Sequence, residues 1–316
     1  MSRKLRNTLA NALLMSTCGL LACQPPPAPT FDHAAWAKDL AAWRTERDGN
    51  LRKESGWLSL AGLYWLKEGP SRFGSDPANE VAFPAGKAPG QAGVFRLEGG
   101  KVRLEPEPGA GLAVDGKPIE APLELVADAD GTPTVVTLQD LSFLVIRRGD
   151  RVGIRLKDKK SPVLAQFTGM ENYPDSPAWR LVARFEPYTP PRKLAVPNIL
   201  GQSNEEDCPG AIVFVHEGKE FRLEPTGQAS KPMSIVFGDA SNGHGTYGGG
   251  RFLEVDPPAA DGTVVVDFNR AYNPPCVFTP YATCPLPPRG NRLPFAVEAG
   301  ERMYAKGLAH EPTAGG

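Results

Sequence analysis

The first regular pattern of apolar and polar positions runs from Asp32 to about Lys53, where Trp36, Leu40 and Trp43 recur at i, i+4 and i+7 among small and charged residues. That spacing predicts one helix, capped by Asp32, whose tryptophan stripe packs on the domain that follows. The apolar run from Gly56 to Leu66 fits a buried strand or a short helix equally. Beyond Gly69 the period falls to two. Val94-Phe95-Arg96-Leu97 and Val102-Arg103-Leu104 flank Gly99-Gly100, Ala113-Val114 and Ile119 flank Asp115-Gly116, and Leu141 to Ile146 and Val152 to Leu156 flank Arg148-Gly149-Asp150. Each arrangement reads as a hairpin. A second series of strands is expected at Trp179 to Phe185, Ala211 to His216, Glu220 to Glu224, Ser234 to Phe237, Arg251 to Val255 and Thr263 to Phe268. The pattern predicts an all-β protein of two sandwich-like or barrel-like units, 55–160 and 161–309, after a short helical arm over 32–54 and before a tail at 310–316.

Composition supports that architecture. Of 316 residues, 41% are apolar and 22% charged, as in ordinary globular chains, while 34 Gly and 33 Pro interrupt helices too often for an all-α bundle. The net charge is −1 with no long block of one sign, which removes the electrostatic basis for a nucleic-acid partner.

The N-terminus carries a different signal. Arg3, Lys4 and Arg6 precede an apolar stretch around Leu13, Leu14 and Met15, then Leu20-Leu21-Ala22-Cys23. Residues 1–22 read as an export signal, too short to span a bilayer comfortably. Its end resembles the lipobox of bacterial lipoproteins, which implies that Cys23 is acylated and becomes the new N-terminus, anchoring the chain to a membrane. Gln24, where Asp would retain the protein at the inner membrane, implies the periplasmic face of the outer membrane in Gram-negative cells. Removal of three cations and no acids would take the charge from −1 to −4. Gln24 to Thr30, within the segment 23–31, would form a Pro-rich tether.

The unusual polar residues fall between Phe237 and Arg292: Gly238-Asp239, Gly243-His244-Gly245-Thr246-Tyr247, Gly248-Gly249-Gly250-Arg251, Asp267-Phe268-Asn269-Arg270-Ala271-Tyr272-Asn273-Pro274-Pro275-Cys276, and the Pro-rich stretch to Cys284 and Pro288. With Gly56-Trp57-Leu58, Arg72-Phe73-Gly74-Ser75-Asp76 and Arg184-Phe185-Glu186-Pro187-Tyr188, they resemble the bacterial and archaeal family known as domain of unknown function 1684, over roughly residues 55 to 300. That resemblance implies kinship and no activity. The order of elements around Arg72 to Asp76, Asn79 and Val114-Asp115-Gly116-Lys117 also resembles a forkhead-associated sandwich. Ser75 stands directly after Gly74, and the turns that read phosphothreonine in such domains are missing, so the resemblance implies topology without phosphopeptide binding.

Two readings of the C-terminal cluster are open. Alternation along the strand would send Asp267 and Asn269 to one face and Phe268 and Arg270 to the other. In the first reading Arg251, Asp267, Asn269, Arg270 and Tyr272, with Asp239, surround a pocket for a small anionic or polyhydroxy ligand. In the second, the same groups tie loops together. Cys276 and Cys284, a C-x7-C pair, could form a disulfide, remain reduced, or serve a metal or redox site, although that spacing is not a usual zinc pattern. Cys208 should pack as a small apolar residue. Among the histidines only His244, in its Gly-rich loop, offers a general base, with Asp239 and Asp267 as alternative catalytic groups and Ser241, Thr246 or Cys276 as possible nucleophiles. No motif names a cofactor, and the glycines lack the lysine and helix of a phosphate cradle. Three roles follow: an envelope binding or accessory module with a cleft lined by Tyr272, Phe278 and Tyr281, a hydrolase using the same cluster, or a purely structural envelope protein.

Overall fold

A computed structural model describes residues 31–304. The export signal, Cys23, the Gln24 to Thr30 stretch and the tail from His310 lie outside the described residues. Helix α1 (His33–Leu51) is capped as its sequence predicts, with Asp32 Oδ1 accepting from the Ala35 amide at 3.0 Å. Leu40 and Leu51 are its buried residues, whereas Trp36 and Trp43 are only partly covered. Both readings of the next apolar run are realised, because a single turn at Trp57–Ser59 leads into a strand.

The first unit is a sandwich of two sheets. One is built from β1 (Leu60–Trp65), β6 (Ala113–Val114), β7 (Lys117–Pro118), β9 (Val136–Leu138), β10 (Leu141–Arg148) and β11 (Arg151–Asp158), in the order β1-β11-β10-β9-β6-β7. The other contains β2 (Gly69–Gly74), β3 (Val81–Ala82), β4 (Gly93–Glu98), β5 (Lys101–Pro106) and β8 (Leu123–Leu125), in the order β3-β2-β4-β5-β8. Alternate residues of both sheets, including Phe73, Phe95, Leu104, Phe143, Val145 and Ile154, meet in one core. Phe73 and Phe95 stack at 4.2 Å between ring centres, and Phe143 meets Phe95 edge-on at 5.5 Å. The hairpins expected at Gly99-Gly100, Asp115-Gly116 and Gly149-Asp150 all form.

After the short helix α2 (Pro162–Gln166), the second unit forms a half-barrel. Its larger sheet contains β12 (Arg180–Pro197), β13 (Ser203–His216), β14 (Lys219–Leu223) and β17 (Thr263–Asp267), in the order β14-β13-β12-β17. A two-stranded ribbon of β15 (Met233–Phe237) and β16 (Arg251–Val255) closes over it. Ile212, Phe214, Val264 and Val266 from the sheet pack on Ile235, Phe237, Leu253 and Val255 from the ribbon. The β12–β13 hairpin is far longer than the alternation suggests. Pairing stops at Pro187, opposite Gly210, and resumes at Arg192 after an irregularity, so Pro190 and Pro191 fall outside the paired positions.

The chain after β17 binds the parts together. Its loop around Cys276 and Cys284 packs on Leu60 of β1, while its last described stretch anchors α1. There Arg47 Nε donates to Glu301 Oε1 at 2.8 Å and Arg47 Nη2 donates to the Asn273 carbonyl at 2.9 Å. The same Glu301 accepts from the Asn273 amide at 2.7 Å.

Candidate functional site

The predicted site residues separate into a closed knot and an open groove. Arg251, the first residue of β16, should project outward by its charge, yet it is fully buried. Its Nη2 donates to Asp239 Oδ2 at 2.9 Å and to the Val297 carbonyl at 2.8 Å, and its Nη1 donates to the Ala299 carbonyl at 2.5 Å. Burial lowers its pKa, and the Asp239 carboxylate opposes that shift. Asp239 is equally occupied, since its Oδ1 accepts from Ser241 Oγ at 2.5 Å, the Ser241 amide at 2.9 Å and the Val297 amide at 3.1 Å. Ser241 Oγ also lies 2.8 Å from Thr246 Oγ1. This is the loop-tying alternative realised: the ligand-binding expectation for Arg251 fails because both of its Nη groups are committed to protein acceptors and the whole side chain, Nε included, is sealed from solvent.

The same holds for Asn269, which is fully buried and exchanges hydrogen bonds with the backbone of Ser176 at 3.0 and 2.9 Å. The strand ends at Asp267, whose Oδ1 accepts from the Asn269 amide at 3.0 Å and so caps a turn over Phe268–Arg270. Simple alternation therefore stops one residue early. Arg270 is released from the face assigned to it and reaches Asp39 of α1 as an ion pair.

His244 is exposed, and its backbone amide donates to the Ser241 carbonyl at 3.1 Å. The only contact of a carboxylate with a possible nucleophile in this loop, Asp239 with Ser241, is sealed inside the knot, so the arrangement expected of a hydrolase does not assemble around His244. Cys276 and Cys284 form a disulfide, settling the choice among the three possibilities for the pair, and Cys208 is buried as expected. Among the described residues no three His, Cys, Asp or Glu side chains gather where they could hold a metal ion.

The open region is a groove of about 1040 Å³ between α1 and the second unit. Phe31, Trp36, Trp43, Trp57 and Tyr272 supply its aromatic surface. Trp36 Nε1 donates to Asp267 Oδ2 at 2.7 Å, which fixes both the indole and the carboxylate. Trp43 lies 6.4 Å from the Tyr272 ring, and the Arg47 guanidinium sits 4.5 Å above the other aromatic centre, that of Tyr272. Burial and the neighbouring Glu254 raise the Tyr272 pKa to about 12, so the phenol stays protonated at neutral pH. Of the expected ligand residues, Asp267, Arg270 and Tyr272 line this groove, while Arg251 and Asn269 do not. Phe278 packs with Phe167 and Tyr304 instead, and Tyr281 contributes to the cluster beside the disulfide.

The contribution of α1 was not legible as a site. Its tryptophan spacing signals packing, and nothing in the local sequence shows that a C-terminal segment 231 residues away supplies the opposite wall.

Residues 165–302 match the model of the family described as protein of unknown function (DUF1684). The C-terminal unit is similar to that family over most of its length. The DUF1684 match begins at residue 165, so the likeness of Gly56-Trp57-Leu58 and Arg72 to Asp76 lies outside the matched segment. Six solved chains match, among them the solution NMR structure of an uncharacterized protein from Haloarcula marismortui. That protein is 27% identical, with 45% of this chain and 80% of that chain covered and a TM-score of 0.38. No curated protein matches the chain. The groove draws Asp267, Arg270 and Tyr272 from the DUF1684 segment and Trp36, Trp43 and Trp57 from outside it.

Proposed function

We propose that the protein is an exported, lipid-anchored binding module that holds a polyhydroxy ligand, such as a glycan, in the groove beneath α1. The observation that carries this reading is the chemistry of the walls. Aromatic faces stack on the apolar faces of sugar rings, and fixed carboxylates and guanidiniums exchange hydrogen bonds with hydroxyls. Six carboxylates against three guanidiniums line the groove, which favours a neutral polyhydroxy ligand over the anionic alternative. The lipobox at Leu20 to Cys23 supports placement in the cell envelope, with the Pro-rich stretch as a spacer.

A glycan array probed with the purified full chain tests the ligand class. Binding of neutral oligosaccharides is expected, and retention of only anionic ligands, or of none, would overturn it. Cys23→Ala should move the protein from the membrane fraction to the soluble fraction, and continued detergent-dependent extraction would refute the anchor.

A further inference from the structure

Strand β11 sends Ile154 and Leu156 into the first core and Arg155 to the opposite face of its sheet. In a free sandwich that face would be wet. Here the loop closed by the Cys276–Cys284 disulfide contributes Thr283 across it, and Arg155 is 6% exposed. Its Nη2 donates to Thr283 Oγ1 at 3.1 Å, its buried Nε meets no acceptor, and its Nη1 has no protein acceptor among the described residues. Trp57 lies 5.7 Å away.

No carboxylate forms an ion pair with Arg155, although Asp128 attracts it from beyond Arg148. The adjacent Arg148 takes Asp128 in a two-point contact, at 2.8 Å from Nη2 and 3.1 Å from Nη1, and also donates from Nε to Thr283 Oγ1 at 3.1 Å. The Thr283 hydroxyl thus accepts twice, and its own proton remains to be donated. Burial, then repulsion from Arg148, draws the Arg155 pKa down to about 10 against the attraction of Asp128, which leaves it cationic at neutral pH. A buried charge in this state is costly unless something pairs with it.

Arg155 lines a hollow of about 310 Å³ where the two units meet. Trp57, Phe252 and Pro285 give it apolar walls, and Asn204 and Glu206 add polar ones. Glu206 is exposed and forms no ion pair with Arg155.

We propose that this hollow is a second ligand site, distinct from the groove, for a small aliphatic monocarboxylate whose oxygens are held by the Arg155 guanidinium and the Thr283 hydroxyl. The charge fits one anion, because Arg148 is already balanced by Asp128 and a dianion would add repulsion with Glu206. The apolar walls receive the remainder of the ligand.

The test is calorimetry and thermal melting of the full chain with sodium butyrate, against sodium chloride and sodium phosphate at matched ionic strength. Butyrate should raise the melting temperature by about 3–5 °C at a tenfold excess over its dissociation constant, with phosphate matching chloride. Arg155→Met, which keeps bulk while removing the charge, should weaken butyrate binding at least tenfold. Glu206→Gln should strengthen it. No difference between butyrate and chloride, or an undiminished response in Arg155→Met, would overturn the site, and an equal response to phosphate would overturn the monocarboxylate assignment. If Arg155→Met does not fold, Thr283→Val decides: a threefold or greater loss of affinity supports the site, and unchanged affinity refutes it.

Discussion

The knot around Arg251 and the groove beneath α1 draw on the same stretch of sequence and reach opposite ends. In the knot a guanidinium, a carboxylate and two hydroxyls are enclosed, and their hydrogen bonds run to one another and to three backbone carbonyls. In the groove Asp267, Arg270 and Tyr272 are each tied to α1 or to a neighbour and still face solvent-reachable space. Closure makes polar residues structural. Docking a separate helix across an open sheet edge leaves them available, because its tryptophans hold the walls apart instead of filling the space between them.

The contrast can be broken most forcefully from inside the knot. Arg251→Met leaves Asp239 buried without its cation and should cost about 3–5 kcal/mol in urea denaturation. A loss below about 1 kcal/mol would mean that the knot does not hold the fold. Arg47→Ala attacks the hinge between the two regions by stranding Glu301, which is 2% exposed. Because Arg47 itself is partly solvated, the expected loss is smaller, about 2–3 kcal/mol, and the groove should widen, seen as faster hydrogen exchange along α1. Reduction of the disulfide should cost about 2–3 kcal/mol through its short loop, comparable in size but without effect on α1 exchange.

Trp43→Ala sharpens the comparison from the other side. Its ring is half-covered, so stability should change by less than about 1.5 kcal/mol, while glycan affinity should fall at least tenfold. The smallest effect belongs to an exposed pair. Arg72 holds the Glu80 pKa down to about 2 through a side-chain hydrogen bond. Its stabilising contribution is fully present above the ordinary carboxylate range and is lost as pH falls through about 2. Arg72→Ala should therefore lower the unfolding midpoint slightly at neutral pH and leave it unchanged below about pH 2, where the pair is already lost.

Hydrophobic alternation disclosed the all-β class, most strand positions and the three hairpins, because each half-buried strand writes its two faces directly into the sequence. The long β12–β13 hairpin was concealed by Pro187, Pro190 and Pro191, which read as a break although an irregularity in the pairing accommodates them. At the site, the polar motif put forward Asp267, Arg270 and Tyr272 together with Arg251 and Asn269 and could not separate them. What separates them is whether a side chain reaches the groove, as even the 7% exposed Asp267 does, and that depends on which segments lie across each residue. Arg155 is the clearest case: its place in Val152-Gly153-Ile154-Arg155-Leu156 is that of an ordinary outward-facing charge, and only the distant Thr283 loop makes it otherwise.

The proposed groove site meets its most direct test in the indole N–H resonances of the five tryptophans during titration with the tightest-binding neutral glycan from the array. Trp36, Trp43 and Trp57 should shift in proportion to occupancy while Trp65 and Trp179 stay in place. Shifts confined to Trp65 or Trp179, or saturable binding that leaves all five unmoved, would contradict a ligand in the groove beneath α1.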